Sequence, residues 1–156
     1  MFYMNKCRGI TVVEALVGIS ILGFVLVFVS MTQTVFFAAS GKVLNTTKAM
    51  YLAEEGQELI RYVRDEDWDE IAALTVGTDY YFDVTSGDIA TTTSPEVIDT
   101  IFTRKFVLNN LNRDANDDFV ESGGSSDTGG RVVTVTVSWG TESTSLTALV
   151  TNIHDI

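Results

Sequence analysis

Between Glu14 and Lys42 the chain carries no charged residue: Ala15 to Gly41 is a run of 27 residues, most of them apolar. As an α-helix such a run extends about 40 Å, against a bilayer hydrocarbon core of roughly 30 Å. It is long enough to span. The preceding leader, Met1 to Gly9, holds only two charges, Lys6 and Arg8, and so places a positive flank on the cytoplasmic side. An ordinary secretory signal also starts basic, but its apolar region is only about 7 to 15 residues long and ends at a small-residue cleavage site. Here the run is longer, no Ala-x-Ala site follows it before Gly41, and the small residue stands in front of it as Gly9.

A carboxylate at the edge of such a run is costly, which makes Glu14 a functional residue by default. The order basic leader, Gly9, Ile10, Thr11, two valines, Glu14 and a long apolar helix resembles the class III signal of type IV prepilins and of the related pseudopilins of type II secretion. The motif covers the first third of the chain. The resemblance implies that a membrane-embedded prepilin peptidase cuts after Gly9 and methylates the new amino terminus at Ile10. Glu14 then becomes the fifth residue of the mature chain. An uncleaved single-pass anchor has the same residue types and is the alternative.

Ile10 and Glu14 are four residues apart, so on a helix the new amine and the carboxylate share one face about a turn apart. Two such helices offset by one turn would bring the amine of one to the carboxylate of the other, and pairing offsets the penalty of burying either alone. Glu14 is therefore expected to set the register of a helical bundle. The competing reading is a carboxylate in the headgroup zone without a partner. Two departures from the family pattern stand out. Met31 occupies the place where many filament pilins carry a helix-breaking proline, whereas Gly23 matches the family's common glycine, so any loosening of the helix rests on Gly23. Cys7, the only cysteine, lies in the leader, and the mature chain cannot form the C-terminal disulfide loop of many pilins.

Removal of the leader takes Lys6 and Arg8 with it. Eight basic residues then face twenty-one acids, a formal side-chain charge of −13. Such a surface repels nucleic-acid phosphates, and no nucleic-acid partner is expected. An exported domain without disulfides must draw its stability from its core, from metal or from neighbouring subunits.

Beyond Gly41 the helix continues with a different face. Ala49, Leu52, Gly56, Leu59 and Val63 recur at spacings of three and four, with Glu54, Gln57, Glu58, Arg61 and Asp65 opposite. Gly56 weakens the helix but permits close approach to a sheet or another helix. Asp65, Glu66 and Asp67 oppose extension, because acids disfavour the negative end of the helix dipole. They form either a solvated helix end or, through Asp67 and Glu70, the cap of a short second helix reaching Leu74. Strand signals follow at Tyr80 to Val84, at Ile101 to Leu108 with Phe102, Phe106 and Leu108 on one face, and at Arg131 to Trp139. In the last, Val133, Val135, Val137 and Trp139 alternate with Thr134, Thr136 and Ser138. Gly140 to Ser143 turns the chain into Thr144 to Ile153 as a hairpin. The fold class is therefore α+β: one long N-terminal helix on an antiparallel sheet of three or four strands, which is also the pilin plan. The segments Tyr51 to Asp65 and Val135 to Trp139 look similar to the minor pilins and pseudopilins of the PilV and GspI kinds. The expected organisation is a cleaved leader at 1–9, a membrane or filament-core half-helix at 10–41, an amphipathic half-helix at 42–66 and a globular sheet domain at 67–156.

Asn112 to Gly130 is rich in Asp, Asn, Ser and Gly. Asp114, Asn116 and Asp118 alternate as calcium-loop oxygens do, but Phe119 stands where an EF-hand needs glycine and Ser125 where it needs a bidentate glutamate. Two readings stay open: a looser calcium site from Asp114, Asn116 and Asp118 with Asp117 or Glu121, since some pseudopilins hold calcium in a sheet loop, or a solvated β-connection. No cofactor is otherwise expected. The single His154 near the C terminus has no cysteine or phosphate-cradling loop to work with, and no carboxylate spacing singles out a catalytic pair, so no enzymatic activity is expected.

The resemblance thus implies a structural subunit, in the minor class, of a type IV pilus. It starts as a single-pass protein of the cytoplasmic membrane, is engaged by the inner-membrane assembly platform and packs with other pilin subunits into an extracellular filament. The alternatives are a pseudopilin of a type II secretion system, ending in a periplasmic pseudopilus, and an uncleaved membrane-anchored binding domain whose acidic loop captures a ligand.

Overall fold

The computed structural model describes residues 11–84, 87–120 and 123–153. Helix α1 (Val12–Glu66) is followed by a short α2 (Trp68–Ala73) and by strands β1 (Asp79–Asp83), β2 (Ala90–Thr92), β3 (Glu96–Ile98), β4 (Phe102–Arg113), β5 (Phe119–Val120), β6 (Ser125–Trp139) and β7 (Glu142–Thr151). Two compact units divide the chain between Leu44 and Asn45, so the second half of α1 belongs with everything after it.

In this second unit α1 buries Ala49, Leu52, Ala53, Gly56, Ile60 and Val63, the three-and-four spacing that a helix presents to a sheet. Two positions differ from the sequence reading. Leu59 is only partly buried, and the adjacent Ile60 is fully enclosed in its place. Gln57, expected on the solvent face, is buried, and its Nε2 donates to Leu146 O at 3.0 Å and to Val133 O at 3.5 Å. The hydrogen bonds are what make a buried amide tolerable.

The acidic stretch ends α1 at Glu66. Asp67 is extended, with φ −154°, and its carboxylate accepts the Asp69 N–H at 2.9 Å. Of the two readings of these acids, the capped second helix is the one formed. It closes at Leu74 after burying Trp68 and Ile71.

The sheet runs β2-β1-β4-β6-β7, with β3 and β5 also pairing to β4. Every pairing is antiparallel. Seven strands among the described residues exceed the three or four expected. The additional ones, β2, β3 and β5, are two or three residues long, too short to carry a periodic signal. The polar stretch from Asn112 is also less of a connection than expected. β4 continues to Arg113 and β6 already begins at Ser125, across a register shift at Asn110/Leu111.

Phe102, Arg104, Phe106 and Leu108 of β4 lie on the helix-facing side, with Val133, Val135 and Val137 of β6 beside them. Phe106 stacks on Phe82 at 4.8 Å and on Tyr80 at 5.8 Å between ring centres. Each fully buried side chain of this kind contributes about 1.5 to 3 kcal/mol. Gly56 lets α1 approach this layer: a Cβ there would lie 2.8 Å from Val135 Cγ1 and 3.2 Å from Arg104 Cδ. Between β6 and β7 the turn is Gly140-Thr141, with Trp139 paired to Glu142. Gly140 has φ 55°, the positive value that a type II′ hairpin turn requires at its first central residue.

Candidate functional site

Thr11 opens α1. Its Oγ1 accepts the Glu14 N–H at 3.3 Å and its carbonyl accepts the Ala15 N–H at 3.1 Å, the two bonds of an N-cap. Glu14 thus sits three residues after a threonine cap, where Thr-x-x-Glu is the capping-box pattern and a carboxylate is favoured by the helix dipole. The sequence reading of Glu14 overlooked this local role, although the four-residue pattern carries it. Gly9 and Ile10, the cleavage and methylation residues implied by the resemblance, lie outside the described residues, as do Cys7, Glu121 and His154.

From Thr11 to Leu44 every residue is exposed, including Leu22, Phe24, Phe28 and Phe36 at 63 to 70%. The helix is long and apolar enough to cross a membrane. Four of its hydroxyls suit an apolar medium, since they bond the carbonyl four residues back: Ser20 to Leu16 O at 2.8 Å, Ser30 to Leu26 O at 2.9 Å, Thr32 to Phe28 O at 2.9 Å and Thr34 to Ser30 O at 3.1 Å. Glu14 is the one charged side chain from Thr11 to Gly41. The helix continues through Gly23 without interruption, and at Gly18, Gly23 and Gly41 nothing lies within 4 Å of where a Cβ would stand. An uncovered apolar cylinder of this length calls for lipid or for other helices as its surroundings.

The second candidate is the acidic segment after β4. The structure does bring Asp114, Asn116 and Asp118 into one turn. Asp114 Oδ1 accepts the N–H groups of Asn116 at 2.8 Å and of Asp118 at 3.0 Å, while its own N–H donates to Asp118 O at 2.9 Å. Those two N–H groups hold the Asp114 carboxyl below the usual carboxylate range. Arg113 braces the same turn. Its Nη1 donates to Asp117 O at 2.9 Å, its Nε to Asp127 Oδ2 at 2.6 Å, and its guanidinium lies 4.4 Å from the centre of the Phe119 ring. The bond from Arg113, then the Gly129 N–H, lowers the pKa of Asp127, and the hydrogen bond to Asp127 raises that of Arg113. Among the described residues no three His, Cys, Asp or Glu side chains converge as a metal-ligand set. What the geometry displays is an Asp-closed turn tied to β6 by an arginine.

A scan of protein-family models, a search of curated proteins and a search of solved structures each gave no match to this chain.

Proposed function

We propose that the chain is a structural subunit, of the minor class, of a type IV pilus, processed by a prepilin peptidase between Gly9 and Ile10 and assembled through its apolar helix. One observation carries the reading: a helix exposed from Val12 to Leu44, free of charge from Ala15 to Gly41, and bearing a single carboxylate in that exposed length, Glu14, in its first turn. Before assembly this helix anchors the protein in the cytoplasmic membrane. In the filament, helices of neighbouring subunits replace lipid around it, and Glu14 pairs with the amino terminus at Ile10 of a neighbour. The hydrogen-bonded sheet unit remains outside and carries the acidic surface.

Intact mass and N-terminal sequencing of the protein produced with its prepilin peptidase test this reading. A chain that starts at Ile10 and is one methyl group heavier is expected. Retention of Met1 would overturn it in favour of an uncleaved anchor. Incorporation into pulled-down filaments tests the role of Glu14: Glu14→Ala should be depleted relative to wild type, and equal recovery would leave the residue with its helix-capping role alone.

A further inference from the structure

We infer that the open edge of β7 is a self-association surface, at which a second copy of this chain adds its own β7 antiparallel across a two-fold axis through Thr147. The two ends of the sheet are built differently. One finishes in the three-residue strand β2, the other in the ten-residue β7, which among the described residues pairs with β6 alone. Natural edges are usually guarded by shortness, charge, proline or a bulge. β7 has none of these in its body: ten residues stay in unbroken register with β6, and Ser143 to Ile153 contains neither charge nor proline.

The hydrogen-bond parity of this strand is fixed by one contact. Asn152 N–H donates to Gly129 O, so in an unbroken register the even-numbered residues of β7 bond to β6. Ser143, Ser145, Thr147, Leu149 and Thr151 consequently direct their N–H and C=O groups to the open edge. Two such edges are self-complementary when the axis passes through Thr147. The hydrogen-bonded pairs become Thr147 with Thr147, Ser145 with Leu149, and Ser143 with Thr151, all outward-directed residues. Leu146 then lies opposite Ala148 on the helix-facing side. Leu146 and Leu149, 38% and 41% exposed, gain cover.

Self-complementarity selects a second copy as the occupant, since the outward-directed groups of β7 match those of another β7 about Thr147. The chain carries a formal net charge of −11, and two such surfaces repel. Ser143 to Ile153 is the longest charge-free stretch from Asn45 onward, so the edge is where two copies can meet without carboxylate facing carboxylate. In this register Glu142, at the start of β7, falls opposite Asn152 and not opposite the other Glu142. The surface belongs to the globular unit and does not depend on the fate of the apolar helix.

The test uses the full chain in detergent with Cys7→Ser as background. Thr147→Cys should form a disulfide-linked dimer under mild oxidation, because paired Cα atoms at the axis stand about 5.5 Å apart, within disulfide reach. Thr91→Cys on β2, at the opposite edge, should not. Sedimentation with density-matched detergent should give a dimer for the parent chain. Thr147→Lys, which places two cations face to face, should weaken it at least about tenfold. Thr147→Pro should do the same, since it removes an outward N–H from the edge, together with the hydroxyl contact to Thr134 at 3.0 Å that Thr147→Cys also gives up. A monomeric parent, a dimer that survives both substitutions, as association through the apolar helix alone would, or equal cross-linking from position 91 would each overturn the inference. Should Thr147→Lys disturb folding, the paired cysteine experiment decides.

Discussion

Arg104 offers the sharpest test of how the helix is held on the sheet. Its side chain is 2% exposed, and its Nε and Nη2 form a two-pronged pair with Glu96 at 2.9 and 2.8 Å. Nη1 reaches Leu52 O and Glu55 Oε2, both at 3.3 Å, and the guanidinium lies 5.2 Å from the centre of the Phe82 ring. Glu55 is more than half exposed, so solvent screening leaves that pair worth about 0 to 1 kcal/mol at most. Glu96 is only 13% exposed. Arg104→Met therefore strands a largely buried carboxylate and should cost about 3 to 5 kcal/mol, and Glu96→Met, which leaves the buried guanidinium with only the screened Glu55 and Leu52 O, should cost a similar amount. The double variant replaces the pair with apolar side chains and should fall within about 2 kcal/mol of the parent, because desolvation of the native ions offsets most of their attraction. Leu52 O loses a donor but remains a carbonyl within α1. The assay is urea unfolding followed by tryptophan fluorescence. Trp68 and Trp139, the only tryptophans, both lie in the second unit, so the signal reports that unit alone. If the two single costs simply added in the double variant, or if Arg104→Met cost less than about 1 kcal/mol, the picture of a desolvated ion pair joining β3, β4 and α1 would be wrong.

Gly56→Ala should gain about 1 kcal/mol of helix propensity but lose about 1 to 3 kcal/mol to overpacking against Val135, which is fully enclosed. A net loss is expected in the same urea titration, and a higher unfolding midpoint would show that α1 can lift off β6 cheaply. Asp114 and Asp127 have lowered folded-state pKa values, so their stabilisation is complete above the ordinary carboxyl pKa of about 3.9 and disappears as pH falls through the lower folded values. Thermal melts from neutral pH downward should show a shallower acid loss for the Asp114→Asn, Asp127→Asn double variant, and an acid limb as steep as the parent's would deny these two groups that role. Calcium should leave the melting temperature unchanged, since Asp114 Oδ1 already accepts two backbone N–H groups, and a calcium-dependent rise would mean that the turn reorganises around the ion.

The α+β plan was legible because its two periods are written plainly. The valines of β6 alternate with threonines, and the buried face of α1 recurs every three or four residues. Periodicity failed where a polar residue serves the interior. Gln57 reads as solvent-facing by residue type, yet it lies over the β6/β7 seam where Leu146 O and Val133 O take its N–H groups. Arg104 shares the parity of Phe102, Phe106 and Leu108, so the alternation alone places it on the buried face. Its charge then demands a carboxylate, but no local pattern names Glu96 as the one, because that partner comes from strand pairing. The ends of β4 and β6 escaped for a related reason: Asn, Asp and Gly have poor strand propensity, and cross-strand pairing overrides it.

The candidate site divides differently between sequence and structure. Charge-free length marks the apolar helix at once, whereas the meaning of Glu14 depends on which neighbours are counted. Taken with Thr11 alone, it is the N3 acid of a helix cap, a role worth about 1 kcal/mol that is open to any exposed helix. Taken with the uncharged run that follows, it is the one ion an assembled helical core would have to neutralise. The two roles make different demands on chemistry. A cap is satisfied by glutamine almost as well as by glutamate, whereas an ion pair with an amine needs the negative charge. Glu14→Gln should therefore preserve the start of α1 while lowering recovery in filaments toward that of Glu14→Ala. Recovery equal to wild type would assign Glu14 to the helix start and remove it from assembly.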